Sequence, residues 1–123
     1  MPGKVIDASA LAAALFSEPA GADVSKRMSE GPILAPTLLR YEMGSVCLKK
    51  IRRHPEQRTA LMEALALLPR LDIQEVEIPT VESTELAERE GLTVYDAAYL
   101  WLARSLGAEL VTLDTRLEAA AAR

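Results

Sequence analysis

Short apolar runs, each closed by an acidic or chain-breaking residue and followed by helical composition, constrain this chain more than any other feature. Lys4-Val5-Ile6 is closed by Asp7, Ile33-Leu34-Ala35 by Pro36, and Leu110-Val111-Thr112-Leu113 by Asp114. A further strand falls either on Leu71-Asp72-Ile73 or on the alternating Val76-Glu77-Ile78, with its register open. Helical composition fills the gaps: Ala8 to Ser17, Gly21 to Ser29, Thr37 to about Arg53, Glu56 to Leu68, Thr80 to Arg89, Tyr95 to Leu106, and a short helix opened by Asp114. Pro19, Gly31-Pro32, Pro55, Gly91 and Gly107 punctuate them. Strands that are apolar on both faces and alternate with helices predict a parallel sheet covered by helices, an α/β fold with about four to five strands.

At 123 residues the expectation is one domain, residues 1–123, with a core large enough to need no staples. Fourteen basic residues against eighteen acidic ones give a net charge of −4, which excludes a protein that holds nucleic acid by bulk positive charge alone. The single cysteine, Cys47, cannot form an internal disulfide and points to a reducing compartment. Apolar runs such as Ala10 to Phe16 fall short of the ~20 residues a membrane span needs, and no cleavage site follows a signal core. A soluble, cytoplasmic chain is expected.

In open parallel sheets, ligands bind beyond the carboxyl ends of the strands. Asp7 and Asp114 follow the first and last strands directly, Glu42 lies in the second turn of the helix after strand two, and Asp96 opens the strong helix before the last strand. Each has a purely structural reading: Asp7 and Asp114 as helix N-caps, Asp96 in a capping box with Thr93, Glu42 as an exposed helix residue. All four together are harder to explain that way. Crowded carboxylates repel one another, and Mg²⁺ or Mn²⁺, which prefer oxygen ligands, would relieve that repulsion. Such ions can activate water and clamp a phosphodiester.

Val5-Ile6-Asp7-Ala8-Ser9, Tyr41-Glu42, Tyr95-Asp96-Ala97-Ala98-Tyr99 and Leu110-Val111-Thr112-Leu113-Asp114 resemble, in order and over essentially the whole chain, the four motifs of PIN-domain nucleases, and within them the VapC-type toxins of toxin–antitoxin pairs. The resemblance implies a PIN-like three-layer fold and a Mg²⁺- or Mn²⁺-dependent endoribonuclease. It also implies an RNA substrate, a homodimer and inhibition by a small cognate antitoxin protein. Asp7, Glu42, Asp96 and Asp114 would then be the catalytic, metal-holding acids, with Thr112 and Ser9 as supporting hydroxyls that orient a carboxylate or a metal-bound water. Tyr41 stands where such proteins often carry a smaller or amide residue.

Six of the fourteen basic residues, Arg40, Lys49, Lys50, Arg52, Arg53 and Arg58, fall within nineteen positions. They form either a solvated helix face or a rim that contacts phosphates; Lys49, Lys50, Arg52 and Arg53 are the RNA-contacting candidates. His54, at a helix end, suits the helix dipole better than general-base work. Cys47 and Trp101 read as packing residues. With aromatics at 4%, RNA binding built on stacking is not expected. Competing functions are a catalytically silent PIN-like dimeric binding protein and a phospho-accepting receiver-like signalling domain. The second would want a lysine after the last strand, where this chain has Asp114-Thr115-Arg116.

Overall fold

The computed structural model describes residues 3–123. The strands β1 (Lys4–Ile6), β2 (Ile33–Pro36), β3 (Ile73–Val76) and β4 (Glu109–Val111) form one four-stranded sheet in the order β3-β2-β1-β4, and every pairing is parallel. Seven helices flank it: α1 (Ala8–Leu15), α2 (Gly21–Met28), α3 (Leu39–Arg53), α4 (Arg58–Leu65), α5 (Thr80–Glu90), α6 (Val94–Leu106) and α7 (Thr115–Ala122). The α/β sandwich expected from the alternation is present, with four strands.

Strands β1, β2 and β4 carry the core. Val5, Ile6, Ala35 and Val111 are fully buried beneath Leu11, Leu39, Met43, Leu100 and Leu102, where burial of each large side chain contributes about 1.5–3 kcal/mol. Helix α6 packs on β1, β2 and β4, with α5 and α7 beside it; six of its side chains are buried, which accounts for its strong apolar signal. Gly91 and Gly107 close α5 and α6 in the left-handed conformation (φ 68° and 61°), which glycine adopts without steric penalty. Helices α1 and α2 approach so closely that a Cβ on Gly21 would lie 2.2 Å from the carbonyl oxygen of Ala13. Among the described residues no helix is long and apolar enough to cross a membrane.

Several boundaries differ from the sequence reading, for local reasons. Strand β3 lies between the two registers considered and is only half-buried, because it is an edge strand. Pro36 belongs to β2: pairing with β1 stops at Leu34, so no partner requires its missing N–H. The Thr37 N–H bonds the carbonyl of Val76, which prolongs the sheet and delays α3 to Leu39. Glu42 therefore sits in the first turn of α3, not the second. The helix expected from Glu56 to Leu68 is three pieces, with α4 between 3-10 turns at Pro55–Gln57 and Leu68–Arg70, because prolines at 55 and 69 cannot donate the helical hydrogen bond.

Candidate functional site

The register of the two neighbouring strands brings the first acid to the last. Ile6 pairs with Val111, so Asp7 and Thr112 leave the sheet side by side, and the Asp7 N–H bonds the Val111 carbonyl at 3.2 Å. The last strand ends at Val111 and not, as expected, at Leu113, so Thr112 and Leu113 separate Asp114 from it, because the next backbone N–H groups turn away from the ladder. The Leu113 N–H donates to Ser9 Oγ (3.0 Å) and the Asp114 N–H to Thr112 Oγ1 (3.0 Å).

Asp7 is buried and heavily bonded. Its Oδ1 accepts from Ser9 Oγ at 2.7 Å and from the Ala10 N–H at 3.0 Å, which caps α1. Its Oδ2 accepts from Thr112 Oγ1 at 2.5 Å. Burial nonetheless raises the Asp7 carboxyl above its ordinary value of 3.8; these three bonds oppose the rise and the charge of Asp114 adds to it. The capping and site readings of this residue are thus compatible, since one oxygen caps and both remain at the strand ends.

Asp114 caps α7 through Oδ1, which accepts from the N–H groups of Arg116 and Leu117. Asp96 stands in the first turn of α6, its N–H held by the Thr93 hydroxyl at 3.1 Å. Its carboxyl is raised by burial and by the charges of Asp114 and Asp7. Glu42 is raised by burial and by Asp96 and Asp7, against the hydrogen bond from Tyr99. The four acids named from the sequence therefore share one electrostatic neighbourhood. Among the described residues, no group of three or more acidic, histidine or cysteine side chains is placed to hold a metal ion.

Two contributors carried no role in the sequence reading. The Tyr99 hydroxyl, on a side chain 1% exposed, donates to Glu42 Oε1 at 2.5 Å. Its signal was available: three residues after Asp96, it lies on nearly the same face of α6. Arg116 donates to the Gly91 carbonyl at 2.5 Å, and its positive charge opposes the rise at Asp96.

Of the basic candidates, Lys49, Lys50, Arg52 and Arg53 line one cleft with Ser9 and Leu113, so the end of α3 borders the site. Lys50 is already engaged: it pairs with Glu18 at 2.5 Å and lies over the Phe16 ring. Arg40 pairs with Glu75 instead. His54 caps the far end of α3, 3.5 Å from Glu56 and about 18 Å along the helix from Glu42. Cys47 is buried, its thiol on the Leu61 carbonyl, and Trp101 packs against the core.

The PIN-domain family model matches residues 4–123. The chain belongs to the PIN-domain family. Ribonuclease VapC3 of Pyrobaculum aerophilum is 32% identical over 118 residues, covering 92% of this chain and 90% of that protein. Ribonuclease VapC1 of Mycobacterium tuberculosis is 33% identical over 120 residues, covering 94% and 89%. The PIN domain thus groups with VapC-type proteins, as its motifs imply. In structure it resembles PAE2754 from Pyrobaculum aerophilum, with a TM-score of 0.77 and 28% identity over 97% of this chain and 84% of that one. VapC20 of Mycobacterium tuberculosis, a sarcin–ricin loop cleaving toxin, shares the fold at a TM-score of 0.69 and 15% identity, over 96% of this chain and 95% of its own.

Proposed function

We propose that this PIN domain is a divalent-metal-dependent endoribonuclease acting as the toxin of a toxin–antitoxin pair. The observation that carries the reading is the convergence of Asp7, Glu42, Asp96 and Asp114, from four separate segments, on one neighbourhood where each raised carboxyl feels the charge of at least one other. An all-oxygen donor set with mutual repulsion suits Mg²⁺ or Mn²⁺ in donor type, and the side chains would have to draw together to enclose one. These four acids would hold it. When bound, it supplies an activated water and neutralises charge on the phosphodiester.

The chain's own groups do the rest. Ser9 and Thr112 fix both oxygens of Asp7, and Tyr99 fixes one oxygen of Glu42, so two of the acids are oriented before any ligand arrives. Lys49, Arg52 and Arg53, beside Ser9, attract the phosphates of an RNA that the acids would otherwise repel. The names of the VapC ribonucleases support this substrate class. The same kinship supports a small antitoxin partner, and a homodimer is proposed beside it. The exposed apolar side chains Leu48, Met62 and Leu67, on or beside α3 and α4, offer surface for either.

The test is incubation of purified protein with total RNA, with Mg²⁺, with Mn²⁺ and with EDTA. Cleavage should require metal and disappear in Asp7→Asn and Asp96→Asn proteins that keep their circular dichroism. Cleavage that persists in EDTA overturns the metal site. Folded protein that cuts no RNA with either metal overturns the ribonuclease, in favour of a silent binding role.

A further inference from the structure

The low aromatic content of the chain conceals a concentration of rings at one place. Of its three tyrosines, Tyr99 is buried on Glu42, while Tyr41 is 80% and Tyr95 63% exposed. Tyr41 immediately precedes Glu42 near the start of α3, and Tyr95 immediately precedes Asp96 at the start of α6. One residue on a helix is a rotation of about 100°. In each case, then, an acid that belongs to the charged neighbourhood is preceded, about 100° around the helix, by an exposed ring.

Both rings line the same cleft, about 630 Å³ in volume, together with Glu42, Lys49, Leu38 and Val46. This volume lies within the range of small-ligand sites, about 300–1,000 Å³. Its lining combines two aromatic rings, aliphatic side chains, the Ser45 hydroxyl, one ammonium group and a carboxylate of the candidate site. No hydrogen bond ties either exposed tyrosine hydroxyl to a described residue.

We infer that Tyr41 and Tyr95 form a nucleobase-stacking subsite that seats the nucleotide next to the scissile phosphate, with Lys49 taking that nucleotide's own phosphate. The inference rests on the ribonuclease reading and deepens it by naming what positions the substrate. Stacking suits this location because it does not depend on charge. A protein of net charge −4 with clustered carboxylates gains little long-range attraction for RNA, whereas a base presents a π-face to an aromatic ring in any electrostatic field. Each stacked base is worth about 5- to 150-fold in affinity and tolerates any base identity. The subsite would therefore position the strand and leave base selection to other contacts.

The experiment measures KM and kcat for a short oligoribonucleotide that the wild type cleaves, using Tyr41→Ala, Tyr95→Ala and the corresponding tryptophan substitutions. A second substrate carries an abasic ribose beside the cleavage site. The alanine proteins should raise KM by about 5-fold or more each, with the loss carried by KM and not kcat, and tryptophan should recover most of it. The abasic substrate should raise KM for the wild type and add little for the double alanine protein. A wild type that cleaves no RNA overturns the ribonuclease reading itself. A wild type that cleaves, with KM unmoved by either alanine, overturns the subsite alone; if size-exclusion chromatography then shows the alanine proteins with altered assembly, the rings belong to a contact between copies.

Discussion

The Thr112 hydroxyl donates to Asp7 Oδ2 at 2.5 Å across 105 residues of sequence, while its oxygen accepts from the Asp114 N–H at 3.0 Å. One buried hydroxyl thus positions an acid from each end of the chain. Thr112→Val keeps the shape and removes both bonds, leaving a buried carboxylate oxygen and a backbone N–H without that partner. Urea denaturation should show a loss of about 1–3 kcal/mol, accompanied by reduced RNA cleavage. Thr112→Ser should recover most of both, because it restores the hydroxyl. A valine protein as stable and active as the wild type would remove Thr112 from the site.

Tyr99 acts through Glu42. Tyr99→Phe deletes one oxygen from a fully packed ring and takes from Glu42 the donor that favours its charged form. Loss of such a supporting bond lowers metal affinity or activity by about 10- to 100-fold. The check is titration of the folded variant with Mn²⁺, followed by cleavage at saturating metal. Unchanged metal affinity would mean that the bond serves only the core.

The acids cost the metal-free protein stability at neutral pH. Asp7, Glu42 and Asp96 all have carboxyls raised above their ordinary values of 3.8, 4.5 and 3.8, so the folded state binds protons more readily than the unfolded one. The stability they withhold is fully present below those ordinary values and is lost as pH rises through the raised ones. Without metal, the contribution of these groups should thus increase as pH falls toward 4. Asp96→Asn removes a charge that burial and its neighbours disfavour, so it should raise Tm in EDTA at pH 7 and shrink the pH dependence. Added Mg²⁺ should raise Tm of the wild type more than that of the variant. Equal responses to Mg²⁺ would argue against Asp96 as a ligand.

For the basic rim, the structure alters the expected size of the effect. Lys50 is paired with Glu18, which leaves Lys49, Arg52 and Arg53 as the candidates without a recorded ion pair among the described residues. Changing those three to Gln should flatten the slope of log affinity against log salt by about 2 units, at roughly 0.7 per phosphate of a single strand. Changing Lys50 alone should leave the slope nearly unaltered. The measurement is a salt titration of RNA binding in an Asp96→Asn background, where substrate survives. Coincident slopes for the triple variant and its parent would make the rim a solvated helix face.

The presence of four strands and the edge where Asp7 emerges were legible because their determinants are local, whereas the register of β3 and the early end of β4 were not. A β-branched run stopped by an acid marks the end of β1 at Asp7, and parallel strands deliver their carboxyl ends to one edge. Thr93 before Asp96 and the glycines at 91 and 107 likewise declare helix ends through backbone geometry alone. The start of α3 was misplaced because it depends on a bond from Thr37 to Val76, and nothing near Thr37 in sequence records that bond.

By itself, then, the sequence determined the alternation of strands and helices, the edge where Asp7 and Asp114 emerge, and the family to which their spacing belongs. These follow from short-range sterics, periodicity and burial. Only the tertiary structure decided that Tyr99 holds Glu42, that Lys50 is held by Glu18, and that Tyr41 and Tyr95 flank one cleft. Each of those outcomes requires residues 32 to 57 positions apart to meet or to face a common space. A side chain's partner at that range is set by how helices pack across the sheet, and no local preference encodes it.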